Sequence, residues 1–328
     1  MNFKRILLMF VCLTFLIFIF SISIAAQTDW SKYPEKNINV VVVAKAGGST
    51  DMTLQLIKSV LDKSLNIAFV PLYKEGAGGV VGFTYLVQNT KPDGYTIAVG
   101  TFPAYFSNLV IKPEEVNYKF EDTVGIANLI TDPATLVVKA DSKINTFEDF
   151  INYCKEKPNL VTVGDGGTGG DDWSSTRFIE RATGIKVVSV PFLNEAEAVQ
   201  AAAGGHIVAA SCNVGGSTYN LITGGLIKPL VVFAEERSSF LPDVPTAKEL
   251  GYDIIAGSSR GFIAKKGTPM EAIEILSKAI LQAANDPQVQ ENAKKLGLSL
   301  NPRNVEEYNA FTRNEYEKFK VMWEEYNK

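Results

Sequence analysis

Residues 38–44 read Ile-Asn-Val-Val-Val-Val-Ala, and no other feature constrains the fold as tightly. A β-branched run without polar alternation predicts a strand covered on both faces, as in a parallel sheet with helices above and below it. A glycine-containing turn follows. Residues 52–65 then place Leu56, Ile57, Val60, Leu61 and Leu65 on one face of a helix. The same alternation continues, with strands predicted at 67–72, 95–99, 136–139, 160–163, 186–190, 207–211, 229–233 and 261–264. Helices fit 79–89, 146–156, 173–183, 195–203, 217–224 and 246–250. The C-terminal third predicts helices over 269–285, 287–296 and 304–326, the first capped by Thr268 with Pro269 opening it. Alternating strands and helices specify an α/β protein.

The N-terminus is of another kind. Lys4 and Arg5 precede an apolar run from Ile6 to Phe20, and small residues follow at Ser21, Ser23, Ala25 and Ala26. That order predicts a secretory signal peptide over 1–26 and an exported chain. Without it, 30 basic residues face 36 acidic ones. A net negative chain argues against nucleic acid or an anionic membrane surface as partner. Cys154 and Cys212 remain, and are expected as buried free thiols rather than a bridge.

About 300 residues suggest two domains. The polar stretch 131–135 and the loop-rich stretch 235–260 are the candidate crossings. The expected division is lobe I from 27–132 plus 254–328, and lobe II from 133–253, with a ligand cleft between them.

Gly164-Asp165-Gly166-Gly167-Thr168-Gly169 fits the dinucleotide-binding pattern G-x-G-x-x-G. Three things oppose a nucleotide. No carboxylate stands at the end of the next strand to hold a ribose. Asp171 and Asp172 occupy the helix entrance where a pyrophosphate would sit. No Gly-Lys-Ser/Thr ending is present. What remains is a glycine-rich turn exposing N–H groups beside a helix start, which suits an anion. Ala46-Gly47-Gly48-Ser49-Thr50-Asp51 repeats the design after the first strand. Two such loops in two lobes suit a carboxylate held between them.

Catalytic chemistry finds little footing. His206 is the sole histidine and falls in a helix-to-strand turn; there is no G-x-S-x-G elbow and no His/Cys cluster with zinc spacing. Asp51, Asp165, Asp171 and Asp172 are expected as helix caps rather than ligands of a hard cation. No metal, cofactor or catalytic residue is expected.

Several motifs carry a family resemblance. "YPEKNINVVVVAKAGGSTD" resembles Y-P-x-K-P-I-x-x-V-V-P-x-x-x-G-G-x-x-D, and "KEGAGGVVGFTYL" resembles N-x-x-G-A-G-G. "KPDGYTIAVG", "FLPDVPTAKELG" and "RGFIAKKGTP" follow in order. Together they resemble the substrate-binding proteins of tripartite tricarboxylate transporters, the Bug receptors, over the whole chain after the signal peptide. The resemblance implies a type II periplasmic-binding-protein architecture closing on a carboxylate ligand, delivered by a monomeric receptor to one large and one small membrane subunit. A sensory protein binding the same ligand is the alternative. Carried onto this sequence, the ligand residues are Ala46, Gly47, Gly48, Ser49, Thr50 and Asp51 in the first loop. The second loop supplies Gly164, Asp165, Gly166, Gly167, Thr168, Gly169 and Asp171. Thr101, Asn213 and Arg260 complete the set. Asp165, Asp171 and Asp172 depart from the small neutral residues usual there, and Trp173 from a frequent His. Added carboxylates favour a monocarboxylate or a zwitterion over a tricarboxylate, with Arg260 balancing charge.

Overall fold

The computed structural model describes residues 29–327, so the expected signal peptide lies outside the described residues. Of these, 29–33 belong to one unit and 34–327 to another; all that follows concerns the described residues of the second.

Ten strands are β1 (Ile38–Val42), β2 (Phe69–Tyr73), β3 (Thr96–Phe102), β4 (Thr123–Lys139), β5 (Thr162–Asp165), β6 (Val188–Pro191), β7 (Ala209–Asn213), β8 (Ile227–Phe233), β9 (Gly257–Lys265) and β10 (Leu300–Arg303). The helices are α1 (Ser49–Leu65), α2 (Val80–Asn89), α3 (Ala104–Ile111), α4 (Phe147–Glu156), α5 (Asp171–Thr183), α6 (Glu195–Gly204), α7 (Ser217–Thr223), α8 (Met270–Ala284), α9 (Pro287–Lys295) and α10 (Val305–Tyr326). Their ends follow local chemistry. Thr146 and Asp149 form a capping box at α4, as do Asn304 and Glu307 at α10.

The strands run in the order β2-β1-β3-β9-β4-β7-β5-β6, with β8 and β10 also paired to β4. Helices cover both faces, so β1 buries Ile38, Val40, Val41 and Val42 completely. One apolar cluster joins Leu136, Val138, Phe147, Phe150 and Phe233 around the later half of β4. Another joins Val41, Phe83, Phe102, Tyr105 and Tyr308 around β1 and β3.

β4 is the organising strand. From Thr123 to Pro133 it pairs antiparallel with β9, and from Ala134 onward with β7 and β8. The exchange falls at Pro133, which has no N–H to offer a ladder. Opposite it, Gly257 has φ +152°, and a Cβ there would lie 2.3 Å from the Asp132 carbonyl oxygen. Only glycine permits that approach.

Several sequence expectations need correction. Residues 131–135, expected as a polar crossing with the strand starting at 136, already belong to β4, because neighbours on both edges satisfy their backbone. α3 and β10 had no periodic signal: α3 is eight residues long and β10 four. Residues 246–250 form turns rather than a helix. Pro269 itself is the N-cap of α8, while Thr268 Oγ1 donates to the Lys265 carbonyl instead. Cys154 and Cys212 are free and buried, and His206 lies in an exposed bend.

Replacing Gly257 with Ala forces the crossing apart, and should cost roughly 2–4 kcal/mol. Urea unfolding of the variant would show this as a lowered midpoint; an unchanged midpoint would show that β4 and β9 separate there freely.

Candidate functional site

The carboxyl ends of β1 and β3 meet the start of α1. Thr50 Oγ1 and Thr101 Oγ1 lie 3.0 Å apart, tying the helix entrance to β3. Asp51, buried in the first turn, accepts from the Gly47 N–H at 2.8 Å, the Tyr73 hydroxyl at 3.1 Å and Gln55 Nε2 at 3.1 Å. It therefore fixes the loop from within. Ala46, Gly47 and Ser49 remain exposed around the helix N-terminus, whose first N–H groups have no carbonyl four residues back to bond.

The second loop, between β5 and α5, is built differently. Gly164 is packing rather than lining: a Cβ there would sit 2.5 Å from Ile207 Cδ1. Asp165 is fully buried and accepts from the Gly167 N–H at 2.9 Å and from the Ser189 hydroxyl. Asp172 accepts from the Gly166 N–H and, at 3.0 Å, from the Trp173 N–H. Two of the N–H groups expected to hold an external anion thus bind the protein's own carboxylates. Between Gly166 and Gly170, the N–H groups of Thr168 and Gly169 make no hydrogen bond among the described residues. Gly169 has φ +87°, and a Cβ there would lie 2.5 Å from Ile111 Cδ1, so glycine lets this loop close against α3.

Asn213, at the end of β7, gathers the remaining acids. Its Nδ2 donates to Asp171 and, at 2.8 Å, to Glu195, whose carboxylate also accepts from the Asn213 N–H at 3.0 Å. Thr218 Oγ1 donates to the other Glu195 oxygen at 3.3 Å. Arg260, buried, reaches Asp132 at 3.3 Å, and Asp132 also accepts from the Gly215 N–H at 3.0 Å. Asp171 and Asn213 are therefore brought together, Arg260 is committed to Asp132, and no hydrogen bond among the described residues joins the two loops.

Sequence reasoning singled out neither Asp132 nor Glu195. Asn194 before Glu195 was a cap signal; nothing local marks Asp132. Burial pushes Asp132 up to about 6 despite Arg260, and burial together with Asp171 and Asp172 pushes Glu195 up to about 8. Burial, then the neighbouring Asp171 charge, raises Asp172, and burial raises Asp165. The helix starts of α5 and α6 partly offset this concentration of acid.

Three relatives resemble this chain in structure or sequence. A TctC solute-binding protein from Polaromonas has 28% sequence identity and a TM-score of 0.80, covering 89% of this chain and 99% of its own. MatC from Rhodopseudomonas palustris with bound malate has 24% identity and a TM-score of 0.73, covering 89% and 100%, a likeness of fold. The class is an α/β periplasmic binding protein, a solute receptor and not an enzyme. A UPF0065 protein in the gbd 5' region of Cupriavidus necator is 31% identical over 300 residues, 91% of this chain and 90% of that one. The model of the tripartite tricarboxylate transporter family receptor, TctC, matches residues 54–328. The chain belongs to that family, the Bug receptors.

The raised carboxyls set a pH dependence. Their unfolded values lie near about 4, so from there upward the folded chain holds more protons than the unfolded one. The stability they contribute is present below that value and is lost as pH rises through about 6 for Asp132 and about 8 for Glu195. Folding stability should fall by on the order of 2 kcal/mol between about pH 5.5 and 8.5. Glu195→Gln keeps an acceptor for Asn213 and should flatten most of that slope. Urea unfolding across the range checks it; an equally steep variant would assign the dependence elsewhere.

Proposed function

We propose that the chain is an exported receptor that captures a small carboxylate-bearing metabolite and passes it to one large and one small membrane subunit. Among the described residues no helix is long and apolar enough to cross a membrane, in keeping with a receptor that hands its ligand to separate membrane proteins. The two lobes in this reading are 27–132 with 254–328, and 133–253. β4 and β9 are the crossings, and the ligand closes the lobes on itself.

The observation that carries the reading is the open N-terminus of α1 at the carboxyl ends of β1 and β3, pinned by the Thr50–Thr101 contact. Such a terminus presents N–H groups and partial positive charge to a carboxylate. Ala46 to Thr50 and Thr101 would hold that carboxylate, with the free N–H groups of Thr168 and Gly169 approaching from the other lobe.

The second lobe's acids define what else the ligand can carry. Asp171, Asp172 and Glu195 stand behind the loop, and a second or third ligand carboxylate there would be desolvated among like charges. A ligand with one or two negative charges, or one bearing an ammonium opposite Asp171, fits better than citrate.

Calorimetric titration with succinate, glutamate and citrate tests this. Succinate or glutamate should bind at least tenfold more tightly than citrate. Gly48→Val should weaken that binding more than tenfold with unchanged circular dichroism, because a Cβ there lies only 3.2 Å from the Lys45 carbonyl oxygen and shields the helix start. Preference for citrate would overturn the charge reading, and wild-type affinity in the folded variant would move the carboxylate elsewhere.

A further inference from the structure

A cavity of about 490 Å³ lies beside β4 and β9, and of the expected ligand residues only Asp171 reaches it. Its walls include six phenylalanines, Phe102, Phe106, Phe178, Phe233, Phe311 and Phe319, contributed by β3, α3, α5, β8 and α10. That volume lies within the range of small-molecule sites, and the phenylalanines share the wall with serines, Thr131, four acids and two arginines, Arg303 and Arg237, the latter paired with Glu249.

The polar groups on the wall are specific. Arg303 Nη1 donates to Thr131 Oγ1 at 2.8 Å, and its guanidinium lies 4.2 Å from the centroid of the Phe311 ring. Arg303 forms no ion pair among the described residues. Burial lowers its proton affinity, while the Glu307 and Glu315 carboxylates act the other way from beyond ion-pair distance. Thr131 Oγ1 also accepts from Asn128 Nδ2 at 3.0 Å, so with two donors on its oxygen its own proton is free to point at a ligand.

The acids at the cavity are otherwise engaged. Glu315 pairs with Lys318 at 3.1 Å, Glu235 with Lys248, Asp171 takes the Asn213 amide, and Glu236 is exposed. They leave Arg303 unneutralised, yet would repel a second ligand charge.

We propose that this cavity binds a monocarboxylate with an apolar, ring-sized body, its carboxylate on Arg303 and Thr131 and its body among the phenylalanines. The site stands on its own walls and does not depend on the glycine loops. A planar guanidinium presents paired donors to a carboxylate, while the body gains from leaving water.

The probe is 3-phenylpropionate, titrated calorimetrically into the full chain after removal of residues 1–26. Wild type should bind it. Arg303→Gln should weaken binding at least tenfold. Ser259→Trp should abolish it, because Ser259 is buried on the cavity wall and its hydroxyl donates to the Phe102 carbonyl at 3.4 Å, so an indole there fills the space. Circular dichroism and thermal unfolding establish that each variant is folded. Absence of binding by wild type, or unchanged affinity in folded Arg303→Gln, would overturn the proposal, whatever happens with succinate at the loops.

Discussion

Everything in the second unit depends on how β4 changes neighbours. Seventeen residues in one strand are long for a globular protein, and a strand of that length can serve two sets of partners in turn. Pro133 ends one ladder by withholding a donor, and Gly257 lets the returning strand close to within contact of the Asp132 carbonyl. β3, β5 and β7 all direct their carboxyl ends toward this crossing. The loops that follow them are therefore gathered where open α/β sheets hold ligands. The Asp132–Arg260 pair lies at the same level and is buried on both sides. A buried pair of this kind contributes little net stability, but removing one partner leaves the other charge desolvated and unpaired.

The two glycine loops look alike in sequence and differ in physics. In the first, one carboxylate, Asp51, secures the turn and leaves the helix start open. In the second, Asp165 and Asp172 each accept N–H groups of their own loop, so the protein has supplied its own anions. A carboxylate accepting backbone N–H groups is a strong, charge-assisted arrangement, and an incoming anion would have to displace it. In the proposed reading the first loop is thereby the anion site and the second an acidic wall.

Trp173 is turned away from that wall. Its ring lies 5.2 Å from Tyr326 and 5.9 Å from Trp323, centroid to centroid. Arg177 sits 5.6 Å over Trp173 and 5.5 Å over Tyr326, and Arg181 pairs with Glu325 at 3.0 Å. The end of α10 therefore anchors the start of α5, and with it Asp171 and Asp172. An aromatic core of this kind gains from both burial and ring geometry.

The sequence by itself determined the α/β class, most strand and helix positions and the family, because these rest on periodicity and on local motifs. It also marked both glycine loops, since a strand-to-helix turn that exposes N–H groups must be written in consecutive residues. The tertiary structure alone decided which of those N–H groups stay free, because Asp165 and Asp172 reach them through side-chain directions that no spacing encodes. Likewise only the fold made 131–135 a strand, when its ladder partners lie between 77 (Thr135–Cys212) and 128 (Thr131–Ser259) residues away. It also set Asp132 beside Arg260 and left Arg303 without an ion pair among the described residues. Desolvation and pairing are properties of three-dimensional surroundings, and those come from packing distant segments together.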